Sequence, residues 1–248
     1  ATANFAVSSG AVTIKDAGVT GAKFNADVIS AQTELAAEPA DTDEFLVSDA
    51  GVLKRIDYSL IKGGGSMTLL NTTTISSSTN LIDFNSSLIT STYKVYEFHF
   101  IDMFTGGTSG ETGFGMRFSA DNGSSVPSSG YRHLTRRFNE GGTSDISISG
   151  STDDQIKVTN LNGVYHGMST GEGISMVVRV YNPTGSGQTR VTFDGISIAD
   201  RNTGHGDESM TIWTGGGMES EPSAVNFIRF TYQIASFTSG TVKLYGIV

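Results

Sequence analysis

The chain has 248 residues and a mass of 26.1 kDa, which is enough for one large domain or two small ones. Hydrophobic residues make up 37% of it and 31 residues are glycine, so the composition is that of a folded chain built from short strands and many turns. The 25 acidic and 16 basic residues give a formal net charge of −9, which disfavours binding to nucleic acid.

The first 62 residues predict a small module made of hairpins and a short helix. Segments 5–12 and 45–52 resemble each other, and each has the alternation and turn residues of a tight β-hairpin. The module contains few large apolar side chains, so it would bury too little surface to be stable alone. We therefore expect it to need neighbouring copies or a docking partner.

Two helical segments are predicted within this module. The longer one covers residues 28–38 and ends near Pro39, because proline cannot continue a helix. The shorter one is a single turn at residues 58–62, with Asp57 placed to cap it. The run Gly63-Gly64-Gly65-Ser66 then predicts a flexible hinge.

Residues 67–248 predict an all-β head domain. Nine or ten short strands bounded by Gly, Asn or Ser, with no alternation of strands and helices, indicate an antiparallel β-sandwich of jelly-roll type. The predicted strands are 93–101, 114–118, 146–148, 156–158, 174–181, 191–198, 209–214, 225–234 and 241–248.

Three details of these strands are specific enough to test. Segment 174–181 is apolar at almost every position, which is typical of a central strand covered on both faces. The apolar spacing shifts between residues 191–193 and 196–198, which predicts a turn or bulge at Asp194-Gly195. The run Gly215-Gly216-Gly217 is interpreted as a loop or hinge.

The motifs of common enzymes are absent. There is no cysteine, no G-x-S-x-G elbow precedes a predicted helix, no G-x-x-x-x-G-K-[ST] loop exists, and the four histidines lack the spacing of a helical metal site. Asp121-Asn122-Gly123-Ser124 has the oxygen ligands that calcium uses, but an Asn-Gly turn accounts for it more simply. We therefore predict a protein without enzymatic activity and without cofactors. No apolar segment approaches eighteen residues, so no membrane insertion is predicted.

One segment combines charge and aromatic character in an otherwise acidic chain. Three arginines and a histidine lie within six positions, a pattern able to hold an anionic sugar or a phosphate through bidentate hydrogen bonds. The alternative is that these side chains pair with acidic loops of a neighbouring subunit or face water. The single tryptophan is either a core residue or a stacking platform for a sugar ring. The candidate receptor contacts are Tyr131, Arg132, His133, Arg136, Arg137 and Trp213.

Four segments, in this order, resemble tail-fibre and appendage proteins of tailed bacteriophages, above all those of marine and cyanobacterial hosts. Residues 7–15 (VSSGAVTIK) are similar to the opening of such proteins, and residues 41–56 (DTDEFLVSDAGVLKRI) resemble one of their linker modules. Residues 117–131, with an Asp-Asn-Gly turn before a tyrosine, and residues 239–247 (SGTVKLYGI) look like parts of a phage tail β-sandwich.

The resemblance implies a homotrimeric virion appendage assembled in the host cytoplasm. Residues 1–62 would dock on other virion proteins of the tail or head, and the head domain would bind a host-surface glycan or protein. The absence of a heptad shaft favours a short fibre, spike or knob. Two alternatives stay open: a head or tail decoration with a purely architectural role, and a depolymerase of envelope polysaccharide.

Overall fold

The computed structural model describes residues 5–8, 10–14, 25, 27–62, 67–106, 113–139, 146–159, 165–166, 173–200, 208–221, 223–232 and 236–248. The chain divides into two compact units, residues 1–64 and 65–248. The hinge predicted at residues 63–66 lies outside the described residues.

The N-terminal unit contains two antiparallel hairpins, as predicted. The second hairpin turns through Ala50 and Gly51, both at positive φ, which matches the right-handed twist of the strands. The helix predicted at residues 28–38 is wrong beyond its first turn, since only residues 27–30 are helical. The described elements are β1 (Phe5–Ser8), β2 (Ala11–Ile14), α1 (Asp27–Ser30), β3 (Glu44–Asp49), β4 (Val52–Asp57) and α2 (Tyr58–Ile61).

Within this unit the structure describes the exposure of residues 10, 14, 25 and 27–62, and none of these is buried. Leu46 and Leu53 share one face of the β3–β4 hairpin and are 74% and 70% exposed. On the opposite face Phe45 contacts the ring of Tyr58 at 6.2 Å, which is a single aromatic pair rather than a core. The predicted turn α2 is confirmed, although the Asp57 side chain makes no capping hydrogen bond.

The second unit is an antiparallel β-sandwich, as predicted. One sheet has nine strands in the order β10-β9-β15-β14-β13-β7-β17-β5, with β12 paired to β14, and the other has the order β11-β8-β16-β6. The strands are β5 (Met67–Ile75), β6 (Leu81–Phe84), β7 (Val95–Gly106), β8 (Phe114–Ser119), β9 (Tyr131–Asn139), β10 (Ile146–Asp153), β11 (Ile156–Lys157), β12 (Tyr165–His166), β13 (Ile174–Tyr181), β14 (Arg190–Asp200), β15 (Glu208–Glu219), β16 (Phe227–Tyr232) and β17 (Ser236–Ile247).

The core of the sandwich is an aromatic cluster between the two sheets. Phe98 and Phe100 of β7 face Phe230 of β16, with ring centroids 5.0 and 4.8 Å apart. Phe84 of β6 packs edge-on against Phe98 at 4.9 Å. The predicted alternation of the β7 strand is therefore confirmed, because Tyr96, Phe98 and Phe100 are all buried.

Two details of the large sheet differ from the prediction. Strand β13 is central in the strand order, but only one of its faces is buried, and Val177 and Arg179 lie on a half-exposed outer face. Strand β14 pairs with both neighbours without a shift in register, so the turn or bulge predicted at Asp194-Gly195 is wrong. The change of apolar spacing instead places Ile196 on the outer face, where it is 41% exposed.

The run Gly215-Gly216-Gly217 is not a loop but part of β15. Glycine fits there because its neighbours occupy the space of a side chain: a Cβ at 215 would lie 2.7 Å from Cζ of Phe193, and one at 217 would lie 2.7 Å from Cγ2 of Ile156. Both of those neighbours belong to the core. The loop prediction failed because glycine also permits close packing inside a sheet.

Candidate functional site

Strand alternation divides the predicted contact segment into two sets. Because 131–139 is the strand β9, successive side chains point to opposite faces of the sheet. Tyr131, His133 and Arg137 point into the protein and are at most 5% exposed, whereas Arg132 and Arg136 are exposed on the outer face. Only these last two are available to a receptor, so the segment as a whole is not a contact surface.

Tyr131 is a structural residue of the core. Its hydroxyl accepts a hydrogen bond from the backbone N–H of Phe118 at 3.0 Å and donates one to the carbonyl oxygen of Pro127 at 3.2 Å. Burial raises the pKa of Tyr131 to about 12. The residue joins β9 to β8 and does not reach solvent.

We expect the free energy of unfolding to fall at alkaline pH because of Tyr131. A folded-state pKa of about 12 and an unfolded-state value of about 10 mean that its contribution is complete below pH 10 and is lost as the pH rises toward 12. The loss amounts to about 2–3 kcal/mol. Urea unfolding of wild type and Tyr131→Phe between pH 8 and pH 12 measures it; identical pH profiles for the two proteins would contradict the assignment.

His133 and Arg137 are also buried. Burial lowers the pKa of His133, while Asp153, whose Oδ2 lies 3.3 Å from the imidazole Nδ1, opposes that shift. The result is a neutral ring inside the protein. Arg137 is the cross-strand neighbour of Trp213 and is 5% exposed. Neither side chain is accessible to a glycan.

Trp213 is a core residue, and its proposed role as a stacking platform is wrong. The side chain is fully buried, and its Nε1 donates a hydrogen bond to Oγ of Ser197 at 2.8 Å. The indole therefore joins β15 to β14 from the inner face. Of the two interpretations that the sequence allowed, the structure selects the core.

The outer face of the large sheet carries an open groove of about 310 Å³. Its floor is the backbone at Gly216, where the missing side chain leaves a gap between the cross-strand neighbours Leu134 and Thr192. Arg132 and Met218 border the groove on one side. A Cβ at Gly216 would lie 2.7 Å from the carbonyl oxygen of Val191, so glycine is also required by the close approach of β14.

We call a line of directly paired residues that crosses neighbouring strands of the sheet a row. Three such rows run across this face from β9 to β17. The rows carry five cationic side chains and two carboxylates, so their net charge is +3 in a chain whose net charge is −9. The cationic residues are Arg132, Arg136, Arg179, Arg190 and Lys243, and the acidic ones are Glu97 and Asp194.

Both carboxylates of these rows are engaged by Arg179. Its Nε donates to Oε2 of Glu97 at 2.6 Å, and its Nη1 donates to Oδ1 of Asp194 at 3.2 Å. The other oxygen of Glu97 lies 2.6 Å from Nε2 of His99. Burial would raise the pKa of Glu97, but the hydrogen bonds from His99 and Arg179 outweigh burial and lower it. Glu97 is therefore an ionised anchor that fixes Arg179 on the face.

The remaining arginines of the rows have no such partner in the part of the chain that the structure describes. Among the described residues, none of Arg132, Arg136 and Arg190 forms an ion pair with a carboxylate. Arg132 has only a hydrogen bond from its Nε to Oγ of Ser220 at 3.3 Å. Arg132 and Arg190 are the two cross-strand neighbours of Met218 on three adjacent strands, and of these two Arg132 borders the groove.

Aromatic rings and hydroxyl groups also lie in these rows. The ring of Tyr245 lies on the outer face 4.9 Å from the ring of His99. The hydroxyl groups of Tyr181 and Thr192 are 2.9 Å apart on neighbouring strands. This combination of planar rings, hydroxyl groups and fixed charges is chemically suited to a sugar chain.

A second cavity, of about 240 Å³, is bordered by the carboxylates of Asp121 and Glu219, each of which accepts hydrogen bonds from residues within four positions in the sequence. Asp121 accepts hydrogen bonds from Oγ of Ser119 and the backbone N–H of Ser125, at 2.5 and 2.9 Å. Asn122 and Gly123 both have positive φ, as in an Asn-Gly turn. Across the described part of the chain, no three side chains of the metal-binding types are grouped to hold an ion.

Several residues of the outer face were missed at the level of sequence. Arg179 interrupts an apolar strand, and Glu97 and His99 alternate with buried aromatic residues, so a search for charged residues within predicted strands would have found them. No such signal marks Gly216, because its role depends on the pairing of three strands that are distant in sequence.

Neither described helix is long enough to cross a membrane, each being four residues long. In comparisons with known proteins, no family model, curated protein or solved structure matches the chain.

Proposed function

We propose that the chain is a structural protein of a tailed-bacteriophage particle, a homotrimeric tail-fibre or spike appendage. Residues 1–62 hold the copies together and dock on other virion proteins, and the β-sandwich is displayed to the host surface, where it binds a glycan without catalysing a reaction. The sequence resemblance described above supports this assignment, and so does the all-β head.

The observation that carries the proposal is the exposed apolar surface of the N-terminal unit. Leu46, Leu53 and Leu60 are each at least 70% exposed, and none of residues 27–62 is buried. A patch of this kind on a module without a core is stabilised when other chains cover it. Copies related by a rotation axis present identical patches to each other, so a closed homo-oligomer is the simplest assembly that buries the apolar patch.

The outer face of the large sheet favours recognition over a purely architectural role. A decoration protein needs no cationic rows, no glycine-floored groove and no buried carboxylate that fixes an arginine. Three copies on one appendage would also convert weak single contacts into strong binding through effective concentration. Host attachment is therefore the function that we assign to the head.

Size-exclusion chromatography with light scattering tests the oligomeric part of the proposal. We expect the whole chain to have a mass about three times 26.1 kDa. The double variant Leu46→Asp and Leu53→Asp should be monomeric, because two carboxylates cannot be buried unpaired at the contact. Gln32→Asp, at an exposed polar position, is the matched control and should stay trimeric.

Two results would contradict the assignment. The first is a folded, monomeric wild-type chain at all concentrations tested. The second is its absence from purified particles of the phage that encodes it, as measured by quantitative mass spectrometry. A copy number per particle that is a multiple of three would support it.

A further inference from the structure

We propose that the outer face of the nine-stranded sheet binds an acidic oligosaccharide laid across the strands, with an anionic group of one sugar held at the Gly216 groove. The inference rests on the proposed role in host attachment and names its ligand class and site. It follows from three features of the face: its charge, its gap at Gly216 and the length of its central row.

The charge of the face selects an anionic ligand. Arg132 borders the groove, Arg190 lies in the same row on the other side of Met218, and Arg136 lies two rows away on β9. No described carboxylate pairs with any of the three, whereas Arg179 is already engaged by Glu97 and Asp194. A guanidinium group offers two parallel N–H donors that match a carboxylate or sulfate group. The anion is therefore expected between Arg132 and Arg190.

The gap at Gly216 gives the anionic sugar a place to lie. The floor of the groove is backbone, so a sugar ring can approach the sheet more closely there than at the neighbouring positions of Leu134 and Thr192. The cavity of about 310 Å³ is open, which suits an internal unit of a chain that enters and leaves the site. Met218 provides an apolar surface for the less polar face of the ring.

The length of the central row selects an oligosaccharide. This row runs from Leu134 through Gly216, Thr192, Arg179 and Glu97 to Tyr245. It crosses five intervals between strands, or about 24 Å at the usual strand spacing. That distance is much longer than one sugar ring, and Tyr245 with its neighbour His99 offers an aromatic surface at the far end.

Isothermal titration of the whole chain with defined oligosaccharides tests the proposal. The probes are hexagalacturonate, a sulfated hexasaccharide and neutral maltohexaose. At least one acidic probe should bind about ten-fold more tightly than the neutral one, and its affinity should fall as salt is raised. Comparison of the two acidic probes distinguishes a carboxylate from a sulfate ligand, and either supports the proposal.

Variants locate the site. Arg132→Gln and Arg190→Gln should each weaken binding of the acidic probe roughly five-fold, and the double variant should weaken it about twenty-fold or more. Lys94→Gln is the matched control, because Lys94 is exposed but does not belong to the three rows. Tyr245→Ala should weaken binding of hexagalacturonate and leave that of digalacturonate, a shorter probe of the same sugar, unchanged, since only the longer chain reaches Tyr245.

Three outcomes would overturn the inference. The first is equal binding of acidic and neutral probes, with no effect of the arginine variants. The second is binding of a single-stranded oligonucleotide, of the same charge as the acidic probe, with an affinity equal to that of the acidic probe. The third is no binding of any probe. The first leaves the proposed attachment role standing with another ligand. The second indicates a general polyanion surface. The third removes glycan recognition, while the trimer and its place in the particle are judged by their own measurements.

Discussion

Phe230→Ala is expected to lower the free energy of unfolding of the sandwich by about 3–5 kcal/mol. Phe230 is fully buried on β16, and its ring lies between the two sheets. Its ring centroid lies 4.8–6.2 Å from those of Phe84, Phe98, Phe100 and Phe114. Removing the ring loses both its burial and its edge-to-face contacts, and it leaves a cavity that these neighbours cannot fill.

Urea unfolding followed by tryptophan fluorescence measures this effect. Trp213 is the only tryptophan and lies in the same core, so its emission reports on the sandwich alone. Phe138→Ala is the matched control, because Phe138 is a phenylalanine of the same unit that is 36% exposed on the outer face. The control should cost less, about 2 kcal/mol, because Phe138 is only partly buried. Equal losses in both variants would mean that Phe230 is not between the sheets.

Gly195→Ala should be nearly as damaging, at about 3 kcal/mol, although it adds a single methyl group. A Cβ at 195 would lie 2.6 Å from the carbonyl oxygen of Ser175 and 2.7 Å from Cα of Met176. These are backbone atoms of the neighbouring strand β13, so no change of rotamer relieves the contact. The two central strands of the large sheet would have to separate.

Gly187→Ala supplies the control for this prediction. Gly187 lies in the loop before β14, and a Cβ there would meet no atom within 4 Å. We expect a change of stability within about 0.5 kcal/mol, the range of ordinary surface substitutions. Thermal unfolding of the two variants side by side gives the comparison. A Gly195→Ala protein as stable as wild type would contradict the close pairing of β13 and β14.

The strands of the head were predictable where one face is strongly apolar. In β7 the aromatic residues Tyr96, Phe98 and Phe100 alternate with polar ones, and this pattern alone indicates a half-buried strand. The pattern was ambiguous in β14, because Ile196 follows Phe193 at an odd spacing. Local spacing does not distinguish a bulge from a strand with apolar residues on both faces, and only the pairing with β13 and β15 decides between them.

The candidate site was predicted only in part, for a related reason. Arg132 and Arg136 were identified from the positive charge of their segment. Because residues 131–137 were not recognised as a strand, the inward-pointing residues of that segment were included in the candidate site as well. The rest of the site comes from five other strands. Arg190, Arg179 and Tyr245 lie about 50 to 110 positions from Arg132 in the sequence, and the sheet topology alone brings them into adjacent rows.

The helix predicted at residues 28–38 failed because propensity was considered without packing. No residue in the observed turn α1 is buried, so nothing stabilises a longer helix against solvent. A run of helix-forming residues of this length is marginal without tertiary contacts.

Glycan binding by the outer face of the large sheet is tested most directly by amide chemical-shift mapping by NMR, with an acidic hexasaccharide titrated into the whole chain. We predict that the largest shifts belong to the backbone amides of Leu134, Gly216 and Thr192, with smaller ones extending to Tyr245. Shifts confined to strands β6, β8 and β16 of the small sheet, or no shifts at millimolar ligand, would contradict it.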